Sequence, residues 1–263
     1  MAKSTAAQKK HKNQKHVKVT KKGKKDNNKN KKQEKKPAAT TSANSNNILS
    51  RITSYEQIQS GKCFKSPADV QALIDALPYN TDKLTRCPKE ALAAGKVHCF
   101  DGSLLAAAAL KHMNYKGYGI VYLNAVSDDG HALCVFQGKD GKSWGAIGKS
   151  NFAGLRYRDP IYPDIKTLVF SYFDSYFNIK RKRTLRGYTN PISLEGEKFD
   201  KMNWEFDNKA VPKIEAELYK AKEFKILTRA QEQSLTLVDD RSAQAGMTGI
   251  DLKGCYGAKE KKG

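Results

Sequence analysis

No part of the chain is apolar for long enough to cross a membrane: nowhere do about 18 apolar residues follow one another, so no membrane span is expected. No apolar segment follows the charged start, which argues against an ordinary secretory signal. The first 47 residues hold no arginine, which argues against a mitochondrial presequence, and no aromatic residue, so base stacking has nothing to work with there. No Cys-x-x-Cys pair occurs among the five cysteines, Cys63, Cys87, Cys99, Cys134 and Cys255, which are odd in number and widely spaced. Reduced thiols in an intracellular setting, cytoplasmic or nuclear, are expected in place of a disulfide framework. His98 adjoins Cys99 instead of standing at ligand spacing, so no metal is expected. No cofactor is expected either.

What the chain does have is positive charge, unevenly spread. The formal net charge is +21, and residues 1–47 contribute 15 lysines against only Asp26 and Glu34. The rest is only mildly basic. A lysine- and asparagine-rich stretch with almost no sizeable apolar residue cannot bury enough surface to offset its chain entropy, so it is expected to be disordered. Its functional reading is a nuclear or nucleolar address and an arm that binds RNA or DNA non-specifically through phosphates. The plainer reading is a solvated leader with no dedicated partner.

From Ile48 onward the pattern is that of a folded α+β domain. Ser66 and Pro67 announce a helix, as N-cap and first helical residue, and Val70, Leu73, Ile74 and Leu77 follow at helical spacing before Pro78. Residues 86–97 read as a connecting loop or short helix. Cys99 opens a second helix whose Leu-Leu-Ala-Ala-Ala-Ala-Leu body is apolar around most of its circumference, as in a helix buried on nearly all sides. Strands are expected over 118–123, 132–137 and 143–147, the last two joined by the turn chemistry of 138–142. Helices are expected over 164–177 and 210–233. Tyr172, Phe173 and Tyr176 read as core, and Cys134 as strand packing.

Cys99 is the candidate nucleophile, because unpaired N–H groups and the dipole at a helix start favour a thiolate. A nucleophilic thiol needs a base within reach, and His131, at the start of an apolar strand, is the candidate. The structural alternatives are an inert helix-end thiol and a loop histidine with one hydrogen bond. Lys149, Arg156 and Arg158 cluster in sequence with Asp159. They suit recognition of a substrate carboxylate or phosphate, or equally an Arg–Asp pair anchoring an irregular loop.

Three segments then carry a resemblance. Cys99-Phe100-Asp101-Gly102 runs into an alanine-rich helix, Gly130-His131-Ala132-Leu133 into a strand, and Ser143-Trp144-Gly145-Ala146-Ile147-Gly148 follows. Together they resemble the core of the transglutaminase-like superfamily of papain-type cysteine proteins, and most closely a little-characterised, largely bacterial set within it. Leu155-Arg156-Tyr157-Arg158-Asp159-Pro160-Ile161-Tyr162 extends the likeness, which reaches Thr184-Leu185-Arg186 and covers roughly half the chain. It implies a papain/transglutaminase-like fold, a Cys-bearing buried helix packed on an antiparallel sheet. It also implies a Cys99–His131 pair completed by an acid four residues after the strand tryptophan. That position is Gly148 here. Asn151 is the leading substitute for orienting His131, as an asparagine does in papain-type proteases, and Asp159 is the second.

The organisation expected is a basic tail (1–47), a transglutaminase-like domain (48–200) and a C-terminal helix with a flexible end (201–263). The function expected is thiol-dependent acyl transfer or hydrolysis on an amide, isopeptide or thioester, with a protein, peptide or small acyl compound as substrate. An acetyl-carrying variant is included, since arylamine N-acetyltransferases place a similar Cys-Phe-Glu before an alanine-rich helix. The alternative is a catalytically inactive adaptor on the same fold, associated with nucleic acid or ribosomes.

Overall fold

Two helix starts behave as their residues dictate. Ser66 precedes the helix Pro67–Ala76, and Asp69 accepts the Ser66 N–H at 3.1 Å from the third helical position. Pro88 opens the short helix Pro88–Ala94, which Gly95 ends at φ +64°, a left-handed conformation that glycine adopts without strain. The structure, a computed structural model, describes residues 48–258 with the exception of Lys83. The lysine-rich tail expected over 1–47 lies outside the described residues.

The centre is an antiparallel sheet of six strands, β1 (Tyr118–Ala125), β2 (His131–Gln137), β3 (Trp144–Ile147), β4 (Arg158–Tyr162), β5 (Leu185–Thr189) and β6 (Glu223–Lys225), in the order β4-β3-β2-β1-β5-β6. Both faces are covered, because side chains alternate along a strand and both sets are apolar. In β2, Ala132, Cys134 and Phe136 join one core, while Leu133 and Val135 join the other. The first core is built on the helix Cys99–His112, where Leu104 through Leu110 are all fully buried. Its four consecutive alanines put little bulk between helix and sheet. The chain is therefore mixed α+β, with a buried Cys-bearing helix against an antiparallel sheet.

Strands ending at 137 and starting at 143 would pair Gln137 with Ser143, and the β2–β3 hairpin is offset from that by one residue. Gln137 faces Trp144, and Cys134 faces Ile147. The cause is Asp140, whose Oδ1 accepts the N–H groups of Lys142 and Ser143, each at 3.0 Å, and so holds Ser143 in the turn.

Two long helices expected from the sequence are shorter. In 164–177 the helix is Ile165–Phe170, followed by a 3-10 turn, Phe173–Ser175. Arg158 donates to both the Ser171 hydroxyl and the Ser171 carbonyl, at 3.0 and 3.1 Å, and the Ser175 N–H turns to the Tyr172 carbonyl at 3.0 Å, the shorter-range bond of a 3-10 turn. In 210–233 the chain forms Val211–Lys220, then β6, then Arg229–Ser234. Pairing of β6 with β5 outweighs the helical periodicity there, and Thr228 with Gln231 makes a fresh capping box. The C-terminal third contributes Trp204, Ile214 and Leu218 to the first core and Ile226, Val238 and Ala243 to the second.

Candidate active site

Cys99 is the first residue of its helix, and the helix start is tied by its neighbours. The His98 N–H donates to Asp101 Oδ1 at 2.7 Å, and the Phe100 N–H reaches His98 Nδ1 at 3.1 Å. Asp101 is fully buried, with Oδ1 also 3.0 Å from His98 Nδ1 and Oδ2 left without a partner among the described residues. His98 Nδ1 accepts the Phe100 N–H when neutral and donates to Asp101 when protonated. Burial works against the cation, but Asp101 and then Cys99 outweigh it and push His98 up to about 10.

The half-buried Cys99 thiol faces two imidazoles. Burial opposes its ionisation, yet hydrogen bonding to His131 and His98, with their charge, outweighs this and lowers the thiol to about 6. The other four thiols all move the other way, raised chiefly by burial. Cys134, wholly buried in β2, rises furthest into inertness, in line with a packing role.

His131 stands at the start of β2, 5% exposed, with its Nε2 3.0 Å from the Leu155 carbonyl oxygen. A carbonyl can only accept, so Nε2 carries the proton and the free lone pair belongs to Nδ1, the nitrogen left for the thiol. The orienting group is thus the Leu155 backbone, and neither expected side chain fills that role. A Cβ on Gly148 would stand 3.4 Å from His131 Nε2 and 3.3 Å from the Leu155 oxygen. Position 148, where the resemblance calls for an acid, does abut the imidazole, and the Leu155 carbonyl occupies the space beside it.

Asn151 turns elsewhere: its Nδ2 donates to the Asp251 carbonyl at 2.7 Å, and its Oδ1 accepts the Asp251 N–H at 2.8 Å. Asp159 is exposed on β4 beside Tyr157, whose phenol burial and then Asp159 push up to about 12. Asn151 still lines the cavity, but the three cations expected to bind substrate do not. Lys149 is 4% exposed and its Nζ donates to the carbonyls of Ile74, at 3.0 Å, and Leu77, closing the end of the helix Pro67–Ala76. Arg158 lies over the Tyr172 ring at 4.0 Å and donates to the carbonyls of Tyr157, Gly154 and Ser171. Arg156 lies 3.6 Å from Asp75. These are loop anchors.

The thiol opens on a cavity of about 370 Å³ that Cys99, His98 and His131 line together with Tyr79, Asp128, Asp129 and the C-terminal segment from Lys253 to Tyr256. Sequence reasoning missed His98, Tyr79 and that segment. His98 was discoverable: a histidine directly before the helix-start cysteine is an N-cap, and an N-cap side chain lies beside the first turn. No such signal marks 251–256. Among the described residues no group of three or more His, Cys, Asp or Glu is placed to hold a metal ion. No helix among them is long and apolar enough to cross a membrane. No protein-family model matches the chain, and no curated protein matches it. The transglutaminase-like resemblance therefore rests on its motif residues alone.

Proposed function

We propose that the protein is a thiol-dependent acyltransferase or hydrolase of transglutaminase-like type, acting on an amide, isopeptide or thioester. The observation that carries this is the Cys99 thiol held between two imidazoles on an open cavity, with its pKa lowered to about 6 while the other four are raised. Near neutral pH such a thiol is largely thiolate. It attacks the substrate carbonyl carbon, forming a sulfur–carbon bond as the carbonyl π pair moves to oxygen. His131 takes the Cys99 proton on Nδ1 as the thiolate forms and passes it to the departing amine or thiol as the bond to it breaks, leaving a thioester on Cys99. Water or an amine acceptor then attacks that thioester, giving its proton back to His131, and Cys99 leaves. The N–H of Cys99, the first residue of the helix, has no intrahelical acceptor and donates to the oxyanion.

Incubation with p-nitrophenyl acetate and with a small thioester, followed by peptide mapping by mass spectrometry, tests the reading. The expected adduct is on Cys99, with its rate of formation falling about a hundredfold or more in His131→Ala. No adduct on Cys99 from either donor, or equal rates in the two proteins, overturns it and leaves the fold as a binding module.

A further inference from the structure

The segment following the helix Asp240–Gly246 forms part of the wall of the thiol cavity. Lys253, Gly254, Cys255 and Tyr256 all line the cavity that holds Cys99. What fixes the segment is mainly polar. The Asn151 amide takes both the N–H and the carbonyl of one residue, Asp251, at 2.8 and 2.7 Å, and its Nδ2 also lies 3.2 Å from Cys255 Sγ. Gly254 rests on the Tyr79 ring so closely that a Cβ there would stand 2.9 Å from a ring carbon.

The same device occurs once more in this region. The Gln71 amide takes the N–H and carbonyl of Gly148, each at 3.0 Å, but both partners there are deep within the fold. Asn151 is itself only 9% exposed, whereas Asp251 is exposed and the apolar side chains beside it are poorly anchored: Leu252 is 59% and Tyr256 49% exposed. A side-chain amide that grips one backbone unit is a sequence-independent docking point for extended polypeptide. Here it grips a segment that little apolar burial retains, and such segments leave at low free-energy cost. Lys253 is also brought to a wall bearing Asp128 and Asp129, and burial pushes both of those carboxyls up.

We propose that residues 251–256, bound along the wall of the thiol cavity, are an intramolecular pseudosubstrate that narrows access to Cys99, and that Asn151 is the backbone-binding group that an incoming lysine-bearing polypeptide takes over when the segment leaves. The inference rests on Cys99 being the reacting thiol of the proposed function. It assigns Asn151 to substrate binding and the C-terminal segment to self-inhibition, with no covalent step.

The test uses the full chain. Asp251→Pro deletes the N–H that Asn151 accepts, and Gly254→Val drives the segment off Tyr79; thermal melts confirm that each variant is folded. Cys99 is labelled in parallel with iodoacetamide, which is small, and with a maleimide carrying a polyethylene glycol chain, which is not. The expected result is that the bulky-to-small rate ratio rises in both variants, about tenfold in Asp251→Pro, the effect of losing one hydrogen bond of ordinary strength. A synthetic peptide of residues 249–257, with serine replacing the cysteine, should restore protection in Asp251→Pro. It should fail to do so when Asn151→Ala is added. An unchanged ratio in both folded variants, or protection by the peptide that does not depend on Asn151, overturns the proposal. Failure of iodoacetamide to label Cys99 in any of the proteins instead sinks the thiol reading beneath it.

Discussion

The two ends of the helix Cys99–His112 each carry a histidine paired with a buried carboxylate, yet they do opposite things. At the C-terminal end Glu205 is saturated: His112 Nε2 lies at 2.6 Å, the Tyr55 hydroxyl donates at 2.8 Å and Lys111 stands at 3.0 Å. At the N-terminal end Asp101 holds His98 through one oxygen, its second oxygen is unpartnered, and the pair faces a thiol and a cavity. Similar residue types thus make a staple at one end and a reactive cluster at the other. Incomplete satisfaction is what separates them, since buried polar groups are normally fully partnered.

The comparison breaks most completely at Cys99. Cys99→Ser should abolish early alkylation by sub-stoichiometric iodoacetamide at neutral pH while shifting the melting temperature little. First labelling of the parent at Cys63, Cys87 or Cys255 would refute the assignment. Next in size is the far end of the helix. Glu205→Ala leaves Lys111, His112 and Tyr55 facing a hole and should cost about 3 kcal/mol in denaturant unfolding. Burial alone would raise Glu205, but His112, Tyr55 and Lys111 outweigh it and hold its carboxyl below the usual glutamate range. The folded state therefore favours the ionised form. The stability gap between parent and variant should be full near neutral pH and close as acid protonates Glu205. Alkylation of Cys99 in the variant should match the parent wherever it stays folded.

A smaller effect is expected from Asp101→Asn, which keeps an oxygen for the His98 N–H and removes the charge that supports the His98 cation. With His98 less readily charged, the thiol loses one of its two cationic partners and its pKa rises. The parent should show alkylation of Cys99 that falls below about pH 6 and is nearly flat above neutrality. In the variant the midpoint moves upward, and the rate at pH 7 drops several-fold. A pH–rate profile followed by peptide mapping reads this, and superimposable profiles would remove His98 from the site. The smallest change is Lys149→Met: burial pushes this lysine down to about 8, so removing its charge offsets part of the loss of its two carbonyl contacts. Stability should change by about 1 kcal/mol or less and Cys99 reactivity not at all.

Local signals in the sequence reached the helix starts at Pro67 and Cys99, the three central strands, and the cysteine and histidine that share the cavity. These are features in which a few adjacent residues dictate the outcome. What escaped was decided by distant partners. Asn151 is turned from His131 by its two hydrogen bonds to Asp251, 100 residues along the chain. The 164–177 helix stops where Arg158 takes the Ser171 carbonyl. The periodicity of 210–233 yields to pairing with β5, which lies more than thirty residues earlier in the chain. Lys149, Arg156 and Arg158 look like a ligand cluster in one dimension and are anchors in three.

His131 is aimed by the Leu155 carbonyl, a group that every residue type carries. Alanine scanning at that position leaves the acceptor in place, so the contact would be silent in a mutational survey. No single-nucleotide change deletes it, and no catalogue of side chains can reveal it. Its removal takes chemistry on the main chain: an ester in place of the peptide link between Leu155 and Arg156 weakens that oxygen as an acceptor. Such a semisynthetic protein should show a slower Cys99 with every side chain intact. The geometry of the imidazole is thereby inherited from the path of the loop, and changes in loop length between Ile147 and Arg158 are what would detune it.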